Sequence, residues 1–264
     1  MIYNVKNHCV YQYNYLAIMP FLKQITSVFQ SGKLNVYPFN IPAFSHGIHL
    51  DLTTNVTFLV GENGSGKSTL LEAISDHCGF NASGGNRNHH YDSHDSKSIL
   101  TASLKFSWFP KVTDGFFLRA ESFFNFASYI DQIAEDDSGI YYAYGGKSLH
   151  QQSHGESFLS LFNNRFKKGI YLLDEPEAAL SPKRQLSLLV LIHDLETSGK
   201  AQFIIATHSP ILLSYPGAVL FSLDGAHIET VDFRETEHYQ ITKDFLEHPD
   251  FYYKHLFSGE NNIE

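Results

Sequence analysis

The chain has 264 residues, 43% apolar and 18% charged, which is enough apolar material for a sizeable core and excludes a disordered composition. Its formal net charge of −9 excludes a uniformly basic, nucleic-acid-coating surface, while leaving room for a local basic patch. The only cysteines, Cys9 and Cys78, stand far apart in no metal-ligand spacing, so a disulfide framework is excluded and a cytoplasmic, reducing setting is expected.

Residues 1–33 read as an N-terminal extension in which Tyr11, Tyr13 and Tyr15 hint at a strand. The apolar stretch at 15–22 is interrupted by Pro20 and falls short of the roughly 20 residues a spanning helix needs, so no direct membrane insertion is expected. From 34 to 60, strand-like pieces are punctuated by Pro38, Pro42 and Gly47 and predict a small antiparallel layer. Its last piece, VTFLV at 56–60, is a short apolar strand.

Residues 61–69 follow it: Gly61, Glu62, Asn63, Gly64, Ser65, Gly66, Lys67, Ser68 and Thr69. They fit G-x-x-x-x-G-K-[ST], a phosphate cradle. Glycines let backbone N–H groups converge on an anion, Lys67 reaches the β- and γ-phosphates, and the Ser68 hydroxyl ligates Mg²⁺. The next residues have helical apolar spacing through Leu70, Leu71 and Ile74, with a glycine stop at Gly79. A helix N-terminus beneath the phosphates adds partial positive charge. This pattern predicts nucleoside triphosphate binding.

Residues 81–98 are rich in Gly, Asn, Ser and His and read as a loop. His89, His90, Asp92, His94 and Asp95 invite a metal reading, but no second half of a ligand spacing accompanies them. The segment 100–120 alternates apolar and polar residues and predicts strands joined by turns, and a helix is expected from Glu121 to about 133. GIYLLD at 169–174 is a buried strand ending in acid. Ser181-Pro182 opens a helix that stops near Gly199, and QFIIAT at 202–207 is another buried strand. Residues 219–223 and 227–231 predict a hairpin with a type I′ turn at Asp224-Gly225. Buried strands alternating with helices imply an α/β fold, a mainly parallel sheet covered on both faces.

Beside a phosphate loop, an acid ending a buried strand is placed to hold Mg²⁺, here Asp174, and the following acid, Glu175, to activate water as general base. Ser153 with Glu156 three residues on satisfies a capping box ahead of Phe158 and Leu159. That is an ordinary helix start, or equally a helix N-terminus presenting a hydroxyl and N–H donors to an anion. His208 directly follows a buried strand, where a structural histidine and a site residue are both open.

Together, in this order, these motifs resemble the ATP-binding-cassette (ABC) type P-loop ATPases over roughly residues 34–223. Gly61 to Thr69 match Walker A, the strand ending Asp174-Glu175 matches Walker B, Ser153, His154, Gly155 and Glu156 match the signature loop, and His208 matches the switch histidine. Ala179, Leu180 and Ser181 fall where the D-loop lies. The resemblance implies an ABC-type ATPase head with an N-terminal antiparallel β layer and a helical signature lobe. It divides the single domain into a core lobe (34–78 and 166–232), an inserted signature lobe (79–165) and C-terminal helices (233–264). It further implies ATP and Mg²⁺ as cofactors, with Lys67, Glu175 and His208 catalytic and Ser68 and Asp174 on the metal. Two chains would pack head to tail on ATP binding, each signature loop completing the other chain's site.

The departures are specific. His154 replaces the first glycine of the signature, Glu156 its glutamine and Ser181 the D-loop aspartate, while Glu121 is the candidate for the Q-loop glutamine. These features are similar to the non-transporter branch, which includes chromosome-maintenance, recombination-repair and phage-defence ATPases and small stand-alone bacterial ATPases. The expected function is a soluble ATPase whose ATP-driven dimerisation acts on a partner protein or nucleic acid. The alternatives are the nucleotide-binding subunit of a transporter, and an ATP-regulated nucleic-acid-binding module. The only basic clusters are Arg165 with Lys167-Lys168, and Lys183-Arg184, which read as solvated helix faces. Tyr37 and Phe39 are candidates for the adenine contact.

Overall fold

The computed structural model describes residues 19–28, 36–81, 84–86 and 99–258. Residues 87–95 of the histidine-rich loop and the Tyr11–Tyr15 alternation lie outside the described residues.

Two sheets are stacked. The larger has five parallel strands and one antiparallel edge strand, in the order β5-β6-β7-β3-β8-β9. Its strands are β3 (Val56–Val60), β5 (Gly115–Arg119), β6 (Gly169–Asp174), β7 (Ala201–Ala206), β8 (Val219–Ser222) and β9 (Glu229–Thr230). The central strands β3, β6 and β7 are buried along their whole length, as expected of a parallel sheet covered on both faces.

Successive side chains of a strand point to opposite faces, and the core divides accordingly. Phe58, Phe116, Leu118, Tyr171, Leu173, Phe203 and Ile205 face a helical layer. That layer is α2 (Phe123–Asp136), α3 (His154–Arg165) and α4 (Pro182–Thr197), contributing Phe126, Phe158, Phe162, Leu188 and Ile192. On the other face Leu59, Phe117, Ile170, Leu172 and Ile204 pack on Leu70, Leu71 and Ile74 of α1 (Lys67–Cys78), and on Leu22, Ile25 and Leu50.

Those last three belong to the second sheet, an antiparallel trio in the order β2-β1-β4, with β1 Leu22–Ser27, β2 His49–Asp51 and β4 Leu104–Trp108. Gln202 ties the sheets together. Its buried side chain accepts from the Leu22 N–H at 2.8 Å and donates to the Leu22 carbonyl at 2.9 Å.

Several sequence expectations are corrected. The antiparallel layer is not built from 34–60 alone: its central strand lies inside the 1–33 extension and its third strand inside 79–165. Residues 104–108 and 115–119 are strands, but of different sheets, and β5 places part of 79–165 in the core sheet. The hairpin β8–β9 exists, with Phe221 opposite Thr230 and Ser222 opposite Glu229. That register leaves a longer loop than a two-residue type I′ turn, because Asp224 is held elsewhere, on the phosphate loop. A short α5 (Pro210–Leu213) precedes the hairpin, and α6 (Glu237–Glu247) and α7 (Pro249–Phe257) follow it. Among the described residues, no helix is long and apolar enough to cross a membrane.

Candidate functional site

Strand β3 delivers the chain to the phosphate loop, and α1 begins directly after it. Gly66 caps α1 at φ 106°, a left-handed conformation, and a Cβ there would stand 2.8 Å from Phe44 Cζ. Only glycine satisfies both conditions. Gly61, at φ 144°, is similarly closed in, by Ser65 Oγ at 2.7 Å and Asp224 Oδ1 at 2.9 Å from an added Cβ. Asp224 accepts the Glu62 N–H at 2.6 Å and so anchors the entry of the loop to the end of β8.

Lys67 is buried, and its Nζ donates to the carbonyls of Gly61 at 2.6 Å and Glu62 at 3.0 Å. Burial lowers its pKa, opposed by the field of Glu175, Asp224, Asp174 and Glu62. The loop thus folds around an ammonium that already faces several acids.

Asp174 ends β6, and its Oδ1 accepts from Ser68 Oγ at 3.0 Å. Burial pushes its pKa up to about 6, against the opposing pull of Arg119 and the Ser68 bond. A buried carboxylate beside a hydroxyl oxygen is a donor pair suited to a hard divalent cation. The next residue, Glu175, sits at φ 50° and ψ 52°, and is the only non-glycine with positive φ among the described residues. Such left-handed backbone costs about 1–2 kcal/mol for an L-residue. It turns the Glu175 carboxylate, 44% exposed, off the strand end and to 3.5 Å from His208 Nε2.

His208 follows β7, the strand beside β6. Three groups hold it: its N–H donates to Glu177 Oε1 at 2.6 Å, its Nδ1 lies 2.8 Å from Nε2 of His238 on α6, and its Nε2 faces Glu175. Burial lowers its pKa first, with Lys67 and His238 adding to the effect and Glu175 opposing it. Glu177, largely buried, has its pKa raised by desolvation despite the bond from His208.

Lys67, Ser68, Thr69, Asn63, Gly64, Gly66 and Glu175 line one cavity of about 490 Å³, together with Tyr37, Asn40, Ile41 and Pro42. Of the two aromatic candidates, Tyr37 is on this cavity, 61% exposed, with its hydroxyl 3.1 Å from Thr69 Oγ1. Phe39 is in the core at 2%.

The other predicted residues do not line this cavity: Gly61, Glu62, Ser65, Asp174 and His208 are absent from its wall, as are Glu121 and the signature set. Glu121, exposed, is paired with Arg119 at 2.5 Å. Ser153 caps α3, receiving Arg184 Nη1 on its hydroxyl at 3.1 Å and giving its N–H to Glu156 Oε2 at 3.0 Å, which completes the capping box. The Glu156 carboxyl is held below its usual range mainly by these Ser153 bonds. His154 opens the same helix. Gly155 is where Arg184 crosses: a Cβ there would be 2.3 Å from Arg184 Nη1. Arg184 is therefore a partner of the capping box and not a solvated helix face.

Sequence reading missed three groups. Arg119 ends β5 directly opposite Asp174 in register, bonds Glu72 at 2.6 Å and brings its Nε to 3.6 Å from Asp174 Oδ2. A cation closing one strand beside an acid closing the next was a usable signal, had the pairing been known. Arg184 and His238 carried none. Among the described residues, no group of three or more His, Cys, Asp or Glu is arranged to hold a metal.

No curated protein matches this chain. Solved structures similar to it include a metal-chelate type ABC transporter in an inward-facing conformation, 16% identical, covering 83% of this chain and 87% of that one at a TM-score of 0.49. CbiO1 from Clostridium perfringens, part of the ABC transporter complex cbiONQ, is 20% identical over 80% and 91% at 0.44. The SMC head domain from Thermotoga maritima is 16% identical over 80% and 98% at 0.45. A family model described as AAA domain matches residues 38–194, a stretch that runs from Tyr37's neighbour through the phosphate loop and Asp174-Glu175 into α4. By that match the chain belongs to the AAA domain family, and its topology is an α/β fold with a parallel core sheet, a phosphate loop after β3 and an antiparallel sheet packed beside it.

Proposed function

We propose that this protein binds ATP with Mg²⁺ and hydrolyses it at the interface of a head-to-tail homodimer, and that ATP-driven dimerisation acts on a partner protein or nucleic acid in the cytoplasm. The observation that carries the reading is the convergence of Lys67, Ser68 and Glu175 on one cavity of about 490 Å³, with Asp174 bonded to Ser68 beside it.

Lys67 and the amides of 61–69 bind and orient the β- and γ-phosphates, at the positive end of α1. Ser68 and Asp174 would hold Mg²⁺, which neutralises charge on the phosphate oxygens. Glu175 accepts a proton from water as the water oxygen bonds the γ-phosphorus, and the bridging oxygen leaves with ADP. His208 donates to the γ-phosphate through Nε2, a buried nitrogen without a hydrogen-bond partner in this structure. Tyr37 offers its ring to the base. Ser153 and Gly155 stand at the N-terminus of α3, away from the same chain's cavity, which supports their acting on the nucleotide of a second copy.

Hydrolysis by the purified chain tests the first part. Mg²⁺-dependent turnover should fall by about 10²-fold or more in Lys67→Ala, the scale for losing one charge-stabilising donor. Undiminished turnover in that variant removes the site. Light scattering of Glu175→Gln with ATP tests the second part, since a doubled mass is expected and a persistent monomer removes the dimer.

A further inference from the structure

His238 lies outside every motif so far used, in the first turn of α6, a helix without a single buried residue. Its Nε2 nevertheless reaches His208 Nδ1 at 2.8 Å, with the two rings edge to face and their centroids 4.5 Å apart. A contact this short between two ring nitrogens holds one proton, because two lone pairs or two N–H groups would repel. Only the direction of that bond is open, and the surroundings of the other His208 nitrogen decide it.

His208 Nε2 is buried, has no hydrogen-bond partner and lies 3.5 Å from the Glu175 carboxylate. With its proton on Nδ1, His208 would turn a bare lone pair toward that carboxylate. With its proton on Nε2, it turns a donor toward it, and Nδ1 becomes an acceptor that needs a donor behind it. His238 is the group in that position. The backbone side is fixed separately by Glu177, which takes the His208 N–H at 2.6 Å. The ring can therefore be governed through Nδ1 without moving the chain.

We infer that His238 is a positioning residue that donates from Nε2 to His208 Nδ1 and locks His208 in its Nε2–H tautomer, aimed at the place where an acceptor joins Glu175. The tautomer of a ring nitrogen is set by the hydrogen bond its other nitrogen makes. In catalysis this deepens the ATPase reading and rests on it, since the acceptor is then a γ-phosphate oxygen. Reversing the lock should slow chemistry without weakening nucleotide binding, because Lys67 and the loop amides do not depend on it.

The test replaces His238 by two side chains of similar reach and opposite hydrogen-bond sense. In His238→Gln the amide donates to Nδ1 and keeps the Nε2–H tautomer. In His238→Glu the carboxylate accepts from Nδ1 and reverses it. Long-range ¹H–¹⁵N spectra of the imidazoles in the full chain, assigned through His208→Gln, read the tautomer directly and without nucleotide. The expected result is Nε2–H in the wild type and in His238→Gln, and Nδ1–H in His238→Glu. An Nδ1–H tautomer in the wild type overturns the inference. In ATPase assays, His238→Glu should lose about 10²-fold in kcat with KM changed less than about threefold, and His238→Gln should recover most of that loss. Equal kcat in the Glu and Gln variants overturns the catalytic part. If the wild type hydrolyses nothing, the ATPase reading fails while the spectra still decide the histidine pair.

Discussion

Ser68 Oγ and Asp174 Oδ1, 106 residues apart in sequence, meet at 3.0 Å. The contact joins the first turn of the helix after the phosphate loop to the end of β6, the second strand along the sheet. Parallel strands put their C-terminal ends on one edge, which is where open α/β sheets bind ligands.

Asp174 carries a stability penalty as well as its proposed role on Mg²⁺. Its pKa in the folded chain is raised to about 6 by burial, so the folded state binds more protons than the unfolded one between the two values. Stability from this group is therefore present at low pH and lost as pH rises through about 6. Asp174→Asn should stabilise the nucleotide-free protein by up to about 3 kcal/mol at pH 8, a few degrees in Tm, with the gain vanishing near pH 4. Thermal melts at the two pH values check this, and the same variant should lose Mg²⁺-dependent ATP binding.

Glu175 is strained and is the general base of the proposed reaction. Glu175→Gly should raise stability by about 1 kcal/mol by relieving the left-handed backbone, while lowering kcat by about 10²–10⁴ through loss of the general base. Glu175→Gln should keep the strain and show the kinetic loss alone. Denaturant unfolding and steady-state hydrolysis of both variants separate the two effects.

Tyr37 and Phe39, two residues apart, should fail in opposite ways. Tyr37→Ala removes an exposed ring on the cavity and should weaken ATP binding by about 1–3 kcal/mol, the scale of base–aromatic stacking, with Tm hardly changed. Phe39→Ala empties a buried core position and should cost about 3–5 kcal/mol of stability. Calorimetric titration with ATP and a thermal melt on each variant are sufficient.

Gly66 and Gly155 are both crowded, but by different neighbours. Gly66→Ala meets the Phe44 ring and an unsuitable φ, so it should destabilise by about 1–3 kcal/mol and abolish nucleotide binding. Gly155→Ala meets the mobile end of Arg184, so the fold should hold while Arg184 leaves Ser153. A double-mutant cycle with Arg184→Ala should then show Gly155→Ala adding almost nothing once the guanidinium is gone.

Much of this molecule is written locally. The phosphate loop, the buried strands at 56–60 and 169–174, the capping box at Ser153 and the Pro-started helix at 182 are each contiguous runs. Their backbone preference or periodicity acts over a few residues, so the α/β fold and the identities of Lys67, Ser68, Asp174 and Glu175 could be read directly. The choice between two sheets for residues 104–108 and 115–119 could not, because a strand's own alternation does not say which edge it joins. The same holds for Leu22 and Ile25, fastened to β7 by the side chain of Gln202, 180 residues away.

The second layer of the site is equally non-local. Arg119 faces Asp174 through strand register, Arg184 lies over Gly155 through helix packing, and His238, 30 residues later and on α6, reaches His208. None of these pairs has a fixed spacing, since each depends on how far one rigid element is carried against another. Sequence alone thus named the candidate groups of the proposed site. Tertiary packing decided which charges and protons those groups hold, because burial and neighbouring dipoles exist only once distant segments are brought together.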